Sequence, residues 1–362
     1  MSNVTITRPT IENRWADAAR PTTPEGWLQR ANEVSDILAA DAVERDGANQ
    51  PPHAEVALLK DSGLVTLLGP AEHGGGAQSW ETTYKVIRII ARGDGSIGQL
   101  LGYHYLWSWA ARLVATDEQI AAVEKLYTEK NYLFGGAVNP RDSDLVVTEE
   151  GDEIVFTGNK SFSTGGVVSD LTVLEGILEG TETHVFAIVP TDQPAIVFNG
   201  DWNNLGQRLT ESGSVQINGV RTGWSSALGF INKEFQPLTY GTLNVPAIQL
   251  VFANFYLGIA QGAIETASSY TRTRSRAWPY GGDNKAHATE EWYILEGYGN
   301  CNHDCGRMRP SSMRSEQKSV RCFTRRAPNS PSAVAAKSRC ASRPENCASA
   351  MTGWKSLRRC LS

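Results

Sequence analysis

The sequence predicts an α+β fold in which a helical block, a small β block and a second helical block follow one another. Three observations predict it. Apolar residues recur at helical spacing from about residue 25 to 130. Short apolar runs separated by turn residues then fill 132–220. Helical spacing returns from Leu243 to Arg276. The 362 residues are 41% hydrophobic and 20% charged, the composition of folded domains rather than of a disordered chain.

The elements follow in order. Pro24 and Glu25 open a helix with Trp27, Leu28, Ala31, Val34, Ile37 and Leu38 on one stripe. A second helix is expected over His53–Leu68, and Ser79 is a suitable N-cap for a third. A fourth starts near Asp94 and is apolar nearly all round, which predicts burial. Thr116 and Asp117 cap a fifth, ending at Lys130. Leu145–Val147 and Ile154–Phe156 flank the acidic turn Glu149–Glu153 as a hairpin. Further strands are expected at Leu171–Leu174, Val185–Val189 and Val215–Ile217. A last helix is expected from about Thr289, and its pattern stops about ten residues later.

The resulting division is 1–24 as a flexible N-terminus, 25–131 helical, 132–223 β, 224–299 part of a helical bundle, and 300–362 a disordered tail. The tail is unlike the rest. It holds all six cysteines, with 10 Arg and 3 Lys against 3 acidic residues, while residues 1–299 carry 21 basic and 36 acidic residues. A net charge of −5 gives no general nucleic-acid surface. No uninterrupted apolar run approaches the roughly 18 residues of a membrane span. Met1–Arg20 lacks a signal-like apolar run, so a cytoplasmic protein without membrane or nucleic-acid partners is expected.

Several motifs carry chemistry. Gly93-Asp94-Gly95-Ser96-Ile97-Gly98 matches G-x-G-x-x-G, but a dinucleotide fold needs a strand before it. A helix fits Ser79–Arg92 better, which makes Asp94 a cap and the glycines a turn. Lys160-Ser161-Phe162-Ser163-Thr164-Gly165-Gly166 combines hydroxyls, an aromatic and glycines. It fits either a turn or a flat-ring contact. Phe134–Asp144 is a strand that ends in a polar loop, a common place for ligand contacts. His104 reads as a core histidine bonded to a carbonyl, with a pocket residue as the alternative. Arg272, Arg274 and Arg276 suit either phosphate or a helix C-terminus. Cys301, His303 and Cys305 have no second matching pair, so no metal is expected.

Taken together, these segments resemble the acyl-CoA dehydrogenase superfamily. The block order is that fold's order. Gly69–Gly76 resembles its Pro-Glu-x-Tyr-Gly-Gly turn, with His73 in the tyrosine position. Ala137–Asp144 and Lys160–Gly166 resemble its two flavin segments. Asp94–Gly98, Gly102-Tyr103-His104, Asp201-Trp202, Thr210–Ser214, Ala247–Leu250 and Tyr270–Thr273 resemble the dibenzothiophene monooxygenase branch, over about 14–299.

The resemblance implies a two-component reaction. A separate flavin reductase supplies FMNH2, O2 is activated on it, and an aromatic sulfur heterocycle becomes a sulfoxide and then a sulfone. It implies Tyr103 and Thr164 as catalytic hydroxyls. Cofactor contacts are implied for Tyr103, Gly136, Ala137, Val138, Asn139, Pro140, Arg141, Lys160, Ser161, Phe162, Ser163, Thr164 and the phosphate-binding Arg276. Phe162 and Trp202 are implied at the substrate. Gly136 stands where relatives carry asparagine, and Gln99 where some have histidine. Val138–Glu149 resembles a lid. The family's homotetramer is completed by further helices and an Arg-Thr-His-x-Leu-His-Asp-Pro stretch that Asn300–Ser362 does not resemble. The tail reads as translation in another frame from near codon 300. The alternatives are an acyl-CoA dehydrogenase-type flavoenzyme and an inactive chain unable to assemble its site.

Overall fold

The computed structural model describes Trp15 and residues 18–306, apart from Pro140, Asp142, Ser143, 238–240, 242 and 281–283. The first helices are set by their caps. Thr23 accepts from the Gly26 N–H at 3.2 Å and opens α1 (Pro24–Ala39), which buries Trp27, Ala31, Val34 and Leu38. Short helices α2 (Ala42–Ala48) and α3 (His53–Asp61) follow. Ser79 caps α4 (Trp80–Gly93), and Asp94 caps α5 (Gly95–Val114) by accepting from the Ile97 N–H at 3.1 Å. The glycine-rich motif is therefore a helix-to-helix turn with no strand before it. A reciprocal capping box of Thr116 and Gln119 starts α6 (Asp117–Lys130).

The β block forms one seven-stranded sheet, in the order β1-β4-β2-β3-β7-β6 with β5 also on β4. Its strands are β1 (Phe134–Ala137), β2 (Leu145–Glu150), β3 (Glu153–Lys160), β4 (Leu171–Leu178), β5 (His184–Pro190), β6 (Ile196–Phe198) and β7 (Val215–Gly223). Antiparallel β5 lies along one edge of β4. Parallel β1 takes Leu171–Leu174 on the other edge, and parallel β2 takes Ile177 and Leu178 of the same edge. The chain between Ala137 and Leu145 therefore leaves the sheet midway along an edge, and the site lies there.

A small hairpin, β8 (Phe230–Ile231) with β9 (Glu234–Phe235), precedes α7 (Asn244–Thr273). Helix α7 is long and apolar enough to cross a membrane by length and composition. Here it packs on α4 and α5, burying Leu250, Val251, Phe255 and Leu257. The approach to α4 is close. A Cβ on Gly258 would lie 2.3 Å from the Arg88 carbonyl oxygen, so only glycine fits.

Five expectations are corrected. The second helix stops at Asp61 rather than Leu68, because Gly63 takes a left-handed φ of +79° and a 3₁₀ turn follows. The β block does not end at 223, since Trp224, Ala227 and Phe230 join the sheet's core. The second helical block accordingly begins at α7, not at 224. The flexible stretch 1–24 is tied down where it is described. Trp15 Nε1 donates to Glu33 at 3.1 Å and Arg20 donates to Thr66 at 2.9 Å. Last, the tail is helical at its start. Helix α8 (292–306) runs through residue 300, because Cys305 is buried against Leu257 and Ala260. The remaining tail call, 307–362, lies outside the described residues, as do 1–14.

Candidate active site

Helix α5 places Tyr103 and Trp107 one turn apart on the same face, with ring centroids 6.2 Å apart. Phe252 of α7 meets Tyr103 edge-on at 5.8 Å. The Tyr103 hydroxyl has no hydrogen-bond partner among the described residues. Burial, reinforced by nearby Tyr256, pushes its pKa up to about 12. It is therefore a phenol that keeps its proton and has it free to donate.

Trp107 reaches β1. The Gly136 N–H donates to the Thr164 carbonyl at 3.0 Å, fixing β1 against the segment after β3. An added Cβ on Gly136 would lie 2.6 Å from Trp107 Nε1. That nitrogen is buried and has no hydrogen-bond partner among the described residues. Tyr103, Trp107, Gly136 and Thr164 thus form one continuous wall. Gly136→Ala is expected to cost about 1–3 kcal/mol through overpacking against the indole. Thermal unfolding of the variant checks this.

The second wall is the Ser161–Thr164 segment folded onto the loop before β7. Ser163 donates from both its N–H and its hydroxyl to the Gly213 carbonyl, at 3.0 and 2.7 Å. The Thr164 hydroxyl is 2.9 Å from that of Ser212, which is 2.7 Å from that of Thr210. This hydroxyl chain is buried. Its anchors hold Phe162 at a left-handed φ of +58°, a conformation that costs a non-glycine residue about 1 kcal/mol or more. Phe162 is consequently turned outward, 59% exposed. It meets Trp202 edge-to-face at 6.1 Å, and Trp202 is fixed by a 2.8 Å bond from its Nε1 to the Gln207 carbonyl.

Other expected residues fall as follows. Ala137 is buried at the end of β1, and Val138 is half-buried after it. Asn139 Nδ2 donates to the Ser161 hydroxyl at 3.2 Å, and its side-chain oxygen accepts from the Arg141 N–H at 3.3 Å. Pro140 lies outside the described residues. The Lys160 side chain is buried. It is 1% exposed and its ammonium is held by Glu175 at 2.9 Å, which corrects the expectation of a cofactor contact by that side chain. Arg276 is exposed past the end of α7 and makes no ion pair among the described residues.

His104 is a core histidine. Its Nδ1 accepts from the Phe134 N–H at 3.0 Å, so Nε2 carries the proton and donates to the Val65 carbonyl at 2.6 Å. Among the functional candidates, sequence reasoning missed Trp107, Ser212 and Thr210. The four-residue step from Tyr103 on a helix was the signal for Trp107.

The donor set fits a flat, acceptor-rich ring such as that of FMN. The open Tyr103 hydroxyl and the orphaned Trp107 N–H stand on one helix face, beside a strand end with no side chain at Gly136. Bound there in its reduced form, FMN would supply the electrons that activate O2. The chain's own residues would orient the ring and exclude water.

No protein-family model matches the chain. It is 37% identical over 286 residues to the dibenzothiophene monooxygenase of Rhodococcus erythropolis, covering 74% of this chain and 67% of that one. It is 35% identical over 281 residues to a probable FMNH2-dependent monooxygenase of Pseudomonas putida, covering 77% and 70%. Among solved structures, the methanesulfinate monooxygenase of Pseudomonas fluorescens superposes with a TM-score of 0.81 at 29% identity, covering 92% of this chain and 82% of that one. The FMN-bound dibenzothiophene monooxygenase of Paenibacillus sp. A11-2 gives 0.75 at 28%, with the same coverage. The architecture is that of the acyl-CoA dehydrogenases.

Proposed function

The chain belongs to the dibenzothiophene monooxygenase family of FMN-dependent enzymes, and on that premise we propose that it oxidises the sulfur of a neutral aromatic thiophene to sulfoxide and then sulfone. FMNH2 comes from a separate flavin reductase, and O2 is the oxidant. The enzyme works in the cytoplasm as a homotetramer. Phe162 and Trp202 hold the heterocycle, Tyr103 donates to the reacting oxygen, and Thr164, Gly136 and Asn139 frame the flavin edge. Arg276 binds the FMN phosphate.

One observation carries the substrate class. The walls are aromatic (Tyr103, Phe162, Trp202, Phe252), and the buried cation beside them, Lys160, is neutralised by Glu175. A neutral flat ring suits such walls, whereas an anionic sulfinate needs a free buried cation. Similarity to a methanesulfinate monooxygenase makes sulfinate the proper competitor. With FMNH2 and O2, turnover of dibenzothiophene is expected to exceed that of methanesulfinate in kcat/KM. The reverse order assigns the site to small sulfinates.

A further inference from the structure

We propose that Lys160, Glu175 and His184 form a positioning network that fixes the strand end Gly136–Asn139 against Ser161–Thr164, with Lys160 as the positioning residue. The inference rests on the FMN reading above for its consequence, though not for its geometry. Lys160 ends β3 and Glu175 sits in β4, each side chain 1% exposed and 2.9 Å from the other. One Glu175 carboxylate oxygen takes Lys160; the other takes Nδ1 of His184, which reaches over from β5 and is 39% exposed. The carboxylate is therefore gripped from the interior and from the surface.

The Lys160 ammonium makes another bond, to the Asn139 carbonyl at 3.1 Å. Asn139 lies beyond the last residue of β1 in the sheet, where ladder hydrogen bonds have ended. Its side chain then reaches the Ser161 hydroxyl at 3.2 Å. A buried charge thus takes over from the ladder and ties the two flavin-framing segments together. An apolar pair of the same volume would stabilise the sheet as well or better, since burying two charges is costly. What an apolar pair cannot do is hold a carbonyl in place.

The test compares the wild-type chain with Lys160→Met/Glu175→Leu and with Glu175→Gln, which keeps the shape and loses the charge. Three quantities are read: the melting temperature, amide exchange of residues 134–139, and quenching of FMN fluorescence on binding. The double variant is expected to melt near the wild type. Its exchange at 136–139 is expected to rise, and FMN to bind about ten-fold more weakly, the equivalent of ~1.4 kcal/mol. Glu175→Gln shifts exchange and binding in the same direction. Wild-type exchange and FMN affinity in both variants would overturn the proposal and leave the network a part of the core. If the wild type itself binds no FMN, the functional reading falls, while the exchange data still decide the positioning role.

Discussion

Tyr103→Phe is expected to cut sulfoxide formed per O2 consumed by about 100-fold, with hydrogen peroxide making up the difference. The hydroxyl bonds nothing among the described residues, so its loss leaves the packing of the ring against Trp107 and Phe252 intact. Unfolding free energy should therefore change by less than about 0.5 kcal/mol. A residue that merely packed would show the opposite pattern, full activity or a falling melting temperature. The same phenol sets a pH expectation. With its pKa pushed up to about 12 by burial, the donor stays protonated across the working range. An alkaline limb near pH ~10, the ordinary tyrosine value, would contradict this assignment.

The second large effect is acid instability from His104. Burial pushes its pKa down to about 4, against the smaller opposing pull of its bond to Val65. The unfolded chain binds this proton below about pH 6.5 and the folded chain resists it to about pH 4. Stability from the neutral ring is thus complete above pH ~6.5 and is lost as pH falls toward 4, an order of about 3 kcal/mol. Denaturant unfolding of wild type and His104→Gln at pH 7, 5.5 and 4.5 checks it. The difference between the two should shrink as pH falls; a constant difference would refute the titration.

Much of this was legible in sequence because it is local. Pro24, the caps at Ser79, Asp94 and Thr116 and the apolar stripe of α1 announce the helices within a few residues. The hairpin around Glu149–Glu153 likewise pairs neighbours. The bond of His104 to a carbonyl followed from an all-apolar helix, in which a histidine must be satisfied by backbone. What was not legible depends on register between distant strands. Glu175 meets Lys160 and His184 only because β4 runs antiparallel to β5 and Lys160 ends β3, which β2 separates from β4 in the sheet order. Lys160 consequently looked like a ligand contact when its charge belongs to the interior. The start of the tail misled for a related reason. Its composition changes near residue 300, yet the helix continues and buries Cys305 with Leu257 and Ala260.

The central claim is that this chain transfers an oxygen atom from O2 to an aromatic sulfur at an FMN site. The most direct measurement supplies the 362-residue protein with chemically reduced FMN, dibenzothiophene and ¹⁸O2, and reads products by mass. Sulfoxide and sulfone carrying ¹⁸O are predicted. Hydrogen peroxide alone, or sulfoxide labelled from water instead of O2, would contradict the account.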